Sequence, residues 1–368
     1  MAEKTDFEFK YEVEEASDWT HLFYRKSGWF GADGIFSIPL DGNDINAGDE
    51  MTMLIFSDTY IGEVKDNAPL PGNEMVNNTI AYMKDREPEQ QHITFHYKKG
   101  KDQRPEAFFV PNNENAKEGQ YFWLGDGFVN QSLNNQMYIF AYHVEMTGPG
   151  VFDFIEPNVS LIAVPERSTI PFQDHRQITT PLHITHPDFG EGNFGCGILV
   201  NTMWAGSPNP DGYVYVYACI GNDKNLLVGR VKPKHFEQFG KWRYWDGATW
   251  QKEVLKSKSI TNAVSNELSV TPLPDGRFLM VFQVLGISDK VGMRVGTSPV
   301  GPWSDIIEIY RTPEIDDGLL PYNAKAHPAL SKPGELLISY NTITADFWND
   351  IQKDAHIYRP RFIKLLYK

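Results

Sequence analysis

Short runs of alternating or continuous apolar residues, separated by turn clusters, dominate the chain, and apolar faces of helical period are scarce. That is a strand pattern. Two such runs, Gly34–Leu40 and Met51–Asp58, flank a loop containing Asp41-Gly42 and Gly48-Asp49, which predicts a hairpin with a long turn. Similar pairs follow: Tyr121–Asn130 with Gln136–Val144, Gly195–Met203 with Gly212–Ile220, Glu267–Pro272 with Arg277–Leu285, and His327–Leu330 with Glu335–Asn341. Further runs lie between them, Leu226–Val231 then Trp242–Trp245, and Val291–Thr297 then Ile306–Tyr310. Five pairs, each extended by more strand, predict an all-β chain folded as a five-bladed β-propeller, whose radial packing leaves only short sheet edges. Two β-sandwich domains are the alternative arrangement of the same strands.

Only one run, Arg361–Tyr367, follows the last pair, so the fifth sheet is a strand short. Near the N-terminus Phe7, Phe9, Tyr11 and Val13 alternate with Glu8, Lys10 and Glu12. Residues 7–13 are therefore expected to pair with residues near 360–367 and clasp the ring. The expected organisation is one domain over 1–368, with 1–28 as N-terminal strand and lead-in and 29–368 as the five blades.

Composition narrows the function. With 34 Lys and Arg against 48 Asp and Glu, the net charge is −14, which argues against a partner that is itself a polyanion such as nucleic acid. The 23 Phe, 17 Tyr and 9 Trp, with 30 Gly and 24 Pro, suit many strands and turns. No run approaches the ~20 apolar residues of a membrane helix. The first residues, MAEKTDFEFKYEVEEASDWT, lack the cationic start and apolar stretch of an export leader. A secreted or periplasmic protein without its leader reads the same way, and that location, as a monomer, is the expectation. Cys196 and Cys219 read as buried thiols or as one cross-strand bridge. There is no Gly-rich phosphate loop, G-x-S-x-G elbow, H-E-x-x-H or Cys/His cluster. His183 and His186, between Thr180-Pro181 and Pro187, read as an irregular loop rather than a ligand pair, so neither metal nor cofactor is expected.

In a propeller the first strand of each blade lines a shared funnel. Asp33 begins the first strand of blade 1 and Asp58 ends its second; with Leu40 opposite Met51, Asp33 falls opposite Asp58. Opposed like charges are destabilising in a ladder. Yet two neighbouring carboxyls push their pKa values apart, so that one can hold a proton while the other is ionised, as glycosidic bond cleavage requires. Two aspartates capping loops is the plainer explanation. Glu267, opening blade 4, is a third candidate as acid, base or sugar-hydroxyl acceptor. Asn78, Asp126, Tyr322, Asn323 and His327 are candidate substrate contacts, with His327 as a polar wall. Trp29, Phe30, Tyr60, Trp204 and Trp348 are either sugar platforms or packing between blades.

The motifs Trp29-Phe30-Gly31-Ala32-Asp33-Gly34, Leu54-Ile55-Phe56-Ser57-Asp58-Thr59, Asn77-Asn78-Thr79, Asn266-Glu267 and Tyr322-Asn323-Ala324-Lys325-Ala326-His327-Pro328 occur in an order that resembles the DUF4185-like domains. That group is similar to five-bladed glycosidase propellers and includes endo-D-arabinanases. The resemblance runs from about Trp29 to Tyr340 and implies hydrolysis of a furanose polymer with Asp33 and Asp58 as the catalytic pair. The second motif usually reads Gly-Asp-Thr; here Ser57 replaces the glycine and the carboxylate is kept. Which aspartate is the acid stays open. A non-catalytic propeller that binds glycans or a protein is the alternative.

Overall fold

The computed structural model describes residues 7–45 and 51–368; Gly48-Asp49 of the first expected hairpin loop lie outside them. The architecture is all-β. Among the described residues there are six sheets of four or more strands, of which five follow one another along the chain and the sixth is a small sheet beside the first. The first is Phe36–Pro39, Met51–Phe56, Thr79–Lys84 and Ile93–His96; the second is Tyr121–Asn130, Gln136–Met146, Phe154–Val164 and Arg176–Thr179. The third has six strands, with Gly190–Asn201, Tyr213–Ile220 and Asn225–Val231 at its centre. The fourth is Leu268–Pro272, Phe278–Gln283, Lys290–Gly296 and Ile307–Arg311, and the fifth is Leu320–Ala326, Glu335–Ile343 and Arg361–Tyr367. Tyr11–Glu15 completes the fifth sheet, pairing antiparallel with Arg361–Tyr367 from Tyr11↔Tyr367 to Glu15↔Ile363. The ladder therefore starts later than residue 7, while Phe7 and Phe9 still pack onto the core beneath it.

Phe36–Pro39 packs on Tyr121–Asn130, that strand on Gly190–Asn201, that on Leu268–Pro272, and that on Leu320–Ala326. The succession returns to the first sheet through His327, whose Nδ1 lies 3.2 Å from Ser37 Oγ. Every gap between neighbouring sheets holds its own buried apolar layer. Sheets one and two share Ile38, Ile55, Phe122 and Ile139; sheets two and three Phe140, Leu161, Phe194 and Val216; sheets three and four Tyr217, Val228, Met280 and Phe282. Sheets four and five share Val281, Met293, Ile338 and Ile363, and sheets five and one Phe56, Leu54, Leu337 and Phe362. Each such side chain contributes roughly 1.5–3 kcal/mol by leaving water, so cohesion is spread around the molecule and the inner strands are free to carry polar groups.

Two sequence expectations are corrected. The fifth pair begins at Leu320–Ala326; Pro328–Leu330 is a 3-10 turn, because Pro328 is pre-set for a first helical position and has no N–H for a ladder. His183–His186 is a short strand paired with residues 190–193, not an irregular loop. His183 pairs with Glu191 at 2.9 Å and His186 hydrogen-bonds the Ser257 carbonyl at 3.1 Å. The cysteines are both free, Cys196 buried and Cys219 half-buried.

A separate small sheet was not anticipated. Ser27–Ala32 pairs with Thr59–Lys65, which also pairs with Glu74–Val76. Its register, Ala32↔Thr59, continues that of the first sheet, Phe36↔Ile55. One long ribbon thus runs through both sheets and is interrupted only at residues 33–35 and 57–58.

Candidate active site

Asp33 and Asp58 sit at that interruption. The Asp33 amide donates to the Asp58 carbonyl at 3.3 Å, and the Ser57 amide to the Asp33 carbonyl at 2.9 Å, so the backbones lie opposite each other as the spacing predicts. Gly34 makes the break with φ +63°; a Cβ there would stand 2.5 Å from Ser57 Oγ. Ser57 is needed in place, since its Oγ accepts from the Leu124 amide at 3.0 Å and ties the first sheet to the second. Other inner strands break at comparable places, with bulges between Leu124 and Gly127, Phe194 and Gly197, and Tyr322 and Lys325. Bulges re-aim side chains and end regular pairing. Here they accompany a change from apolar contacts to cavity-lining groups.

The cavity holds about 690 Å³ and is lined by Asp33, Asp58, Tyr121, Trp123, Glu156, Asn193, Asn266, Glu267, Tyr322, Asn323 and Tyr358, among others. Phe152 and Trp348 also line it and are 52% and 41% exposed, which places them at its open mouth. Five carboxylates, Asp33, Asp58, Glu156, Glu191 and Glu267, face it against a single lysine, Lys224.

Asp33 Oδ2 accepts from the Tyr322 hydroxyl at 2.8 Å, while its buried Oδ1 has no hydrogen-bond partner. Burial first, then the charges of Asp58 and Glu267, push Asp33 up to about 8, against the opposing pull of Tyr322 and Tyr358. Asp58 Oδ1 accepts from Asn77 Nδ2 at 3.0 Å. Burial pushes Asp58 up to about 6, and Asn77 and Trp123 hold it back. Two half-buried carboxyls thus stand on opposed backbones, both raised, Asp33 further than Asp58.

Glu267 lies just before the fourth sheet's first strand and is 9% exposed. Its Oε1 accepts from Asn323 Nδ2 at 2.7 Å and its Oε2 is 2.6 Å from Lys325 Nζ. Burial raises its pKa and Lys325 pulls it back. Asn323 reaches it because the bulge puts this residue at φ +57°, a conformation asparagine tolerates.

Of the expected contacts, Tyr322 and Asn323 line the cavity and three others do not. Asn78 is fully buried, donating to the Phe109 and Phe122 carbonyls at 2.9 and 3.1 Å and accepting from the Phe109 amide at 2.8 Å. All its capacity holds backbone, and its neighbour Asn77 is the one that meets Asp58. Asp126 is turned by its bulge into a second, small cavity, where its oxygens accept from the Gly127 and Ile198 amides at 2.8 and 2.7 Å. His327 is 1% exposed, between Ser37 and Ser339, and burial lowers it to about 3. It is a neutral strut between the fifth sheet and the first. Trp29, Phe30 and Tyr60 are buried packing residues; of the five aromatics named from the sequence only Trp348 lines the cavity.

Sequence reasoning missed Asn77, Tyr121, Trp123, Glu156, Asn193 and Tyr358. Tyr121 and Trp123 alternate at the start of a strand whose next residues form the bulge, a signal that was present. Glu156 and its donor Asn193, whose Nδ2 is 3.3 Å from Glu156 Oε2, are 37 residues apart on two sheets and carry no local signature.

None of the curated proteins matches the chain by sequence. Among solved structures, a Bacteroides ovatus ATCC 8483 protein described as "a putative hydrolase" shares the fold, with a TM-score of 0.72 and 18% identity over 99% of this chain and 93% of that one. Looser likenesses are to an exo-β-1,3-galactanase from Phanerochaete chrysosporium (TM-score 0.48, 9% identity, 91% of this chain and 60% of that one) and to the α-L-arabinofuranosidase of Podospora anserina (TM-score 0.48, 11% identity, 93% and 92%). A family described as a domain of unknown function, DUF5005, matches residues 16–367. The chain belongs to the DUF5005 family.

Proposed function

We propose that the five sheets are the blades of a five-bladed β-propeller and that the protein is a glycoside hydrolase, with Asp33 and Asp58 as its acid–base pair. The observation that carries this reading is the pair itself: two aspartates on opposed backbones at an open, ligand-sized cavity, both pushed above the ordinary carboxylate range by burial so that the pair can hold one proton. Cleaving a glycosidic bond needs a proton for the leaving oxygen and an ionised carboxylate to activate water or attack carbon. Asp33, the carboxyl that burial and its charged neighbours raise further, supplies the first, with Tyr322 and Tyr358 orienting it. Asp58, oriented by Asn77, supplies the second. The excess of carboxylates on the walls favours an uncharged glycan over a polyanionic one.

The finer reading is an endo-acting arabinanase on a furanose polymer. It rests on the motif resemblance to the DUF4185-like domains. The test is reducing-end release from D-arabinan, L-arabinan, xylan and galactan by wild type, Asp33→Asn and Asp58→Asn. Release from an arabinan that either substitution abolishes is the expected result. Glycan binding with no release from any polymer would make the protein a binding module instead.

With Asp58 ionised above about 6 and Asp33 protonated below about 8, kcat/KM should be bell-shaped in pH with limbs near those values. A profile with neither limb would remove these two carboxyls from the rate-limiting chemistry.

A further inference from the structure

Lys325 sits on the strand Leu320–Ala326 with its side chain 1% exposed, and it does not line the open cavity. A buried ammonium is costly unless it is paired and hydrogen-bonded. Its Nζ is 2.6 Å from Glu267 Oε2, donates to the Asn323 carbonyl at 3.0 Å, and stands 4.8 Å from the centre of the Phe36 ring. The remaining Glu267 oxygen is held by Asn323 Nδ2. One bulge therefore holds both oxygens of Glu267, Oε1 by a hydrogen bond and Oε2 by an ion pair.

We propose that Lys325 is a positioning residue: it fixes Glu267 as an ionised, immobile carboxylate, and Glu267 acts on Asp33 through its charge rather than as a proton donor. The proposal rests on the reading of Asp33 as the acid. Asp33, Asp58 and Glu267 line the same cavity, and consecutive residues of one bulge hold two of them, Tyr322 at 2.8 Å from Asp33 and Asn323 at 2.7 Å from Glu267. The groups acting on Asp33 are Asp58 across the ribbon, Glu267 from the fourth sheet, Tyr322 from the fifth and Tyr358. Those facing Glu267 are Lys325 and Asn323, with the charge of Glu267 felt by Asp126, Glu156 and Tyr142. Lys325 in turn acts on Asp126 and His327. Among these, Lys325 is the one cation in contact with Glu267, so the protonation of Asp33 depends on a residue that never meets the ligand.

The test is the alkaline limb of the pH–rate profile in Glu267→Gln, Lys325→Met and the double variant. Removing the negative charge should lower that limb by about one pH unit. Lys325→Met should do the same, because Glu267 without its counter-ion takes up a proton. The double variant leaves no unpaired buried charge and guards against a misfolded Lys325→Met. It should match the single variants rather than sum them. Isotope-edited infrared titration of the Asp33 carboxyl, assigned by subtraction of Asp33→Asn, reads the same shift without turnover, so failure of this link and failure of the hydrolase reading are distinguishable. An Asp33 titration unmoved in both Glu267→Gln and the double variant overturns the proposal. So does loss of activity at every pH in Glu267→Gln with Asp33 titrating normally, which would make Glu267 a catalytic residue.

Discussion

The inner strands carry carboxyls into two cavities, and burial acts on both sets in the same direction. In the large cavity Asp33 is pushed up to about 8; in the small one, of about 50 Å³, Asp126 is pushed up to about 7 and Asp44 to about 8. The difference lies in partners and space. Both oxygens of Asp126 accept main-chain amides from two neighbouring sheets, so this carboxylate is a clip between inner strands. Asp33 is held by tyrosine side chains alone, with no main-chain amide on its carboxyl, and lines a cavity large enough for sugar rings. A raised pKa alone therefore does not mark a working carboxyl. A carboxyl that clips no backbone, beside ligand-sized space and opposite a second carboxyl, does.

The contrast breaks or holds under substitution. The largest effect expected is at the large cavity: Asp33→Asn or Asp58→Asn should lower kcat by about 10³-fold, the usual worth of a positioned acid or base, with the unfolding midpoint at neutral pH no lower than wild type. A loss under tenfold in either would end the distinction between the two sites. At the small cavity, Asp126→Ala should cost about 1–3 kcal/mol of stability, because it strands two buried amides. Activity per folded molecule should stay within about twofold, since Asp126 lies away from the reacting pair; urea unfolding and active-site-normalised rates check the two halves.

Stability against pH gives an effect of opposite sign. The folded pKa of Asp33, about 8, lies above its ordinary value of 3.8. The folded state therefore holds this proton more tightly, and the associated stability is present below 3.8 and lost as pH rises through about 8. Asp33→Asn removes that loss. Its Tm should exceed that of wild type by an amount that grows from about pH 4 to about pH 9, whereas Asp126→Ala should start below wild type at acid pH and narrow the gap as pH rises through about 7, where the raised Asp126 carboxyl ionises. Parallel Tm curves for wild type and Asp33→Asn would mean that Asp33 is ionised at little cost and is no proton store.

Much of this was legible in the residues because strands are local signals. Alternation marked Tyr121–Asn130, Arg361–Tyr367 and the N-terminal strand, and the hairpin arithmetic placed Asp33 opposite Asp58 across a long loop. What failed depended on backbone irregularity or on distant sheets. Asp126 is a candidate contact from its place on the first strand of the second sheet, but the bulge between Leu124 and Gly127 sends it to the other cavity. Asn78 and Asn77 are indistinguishable by type; the bend that joins Glu74–Val76 to Thr79–Lys84 puts one in the core and the other on Asp58. The His327 expectation failed because Pro328 began a turn instead of a strand, burying the ring between two serines.

The smallest expected effect concerns the mouth of the large cavity, where neighbours in sequence divide the work. Phe347 and Trp348 both line the cavity, but Phe347 is 2% exposed and packs against Tyr358, ring centroids 4.8 Å apart, as part of the core. Trp348 is 41% exposed, at the open side. A flat indole at an open mouth can lie against the apolar face of a sugar ring several units from the bond being cut. Binding of that kind is the same in ground and transition states, so it enters KM and leaves kcat alone. Trp348→Ala should raise KM about fivefold, the equivalent of about 1 kcal/mol of aromatic contact, with kcat and the unfolding midpoint unchanged. The rise should be larger on long polymers than on a disaccharide that does not extend to the mouth. An equal rise on both would place Trp348 next to the reacting sugar, and none on either would leave recognition to the polar walls.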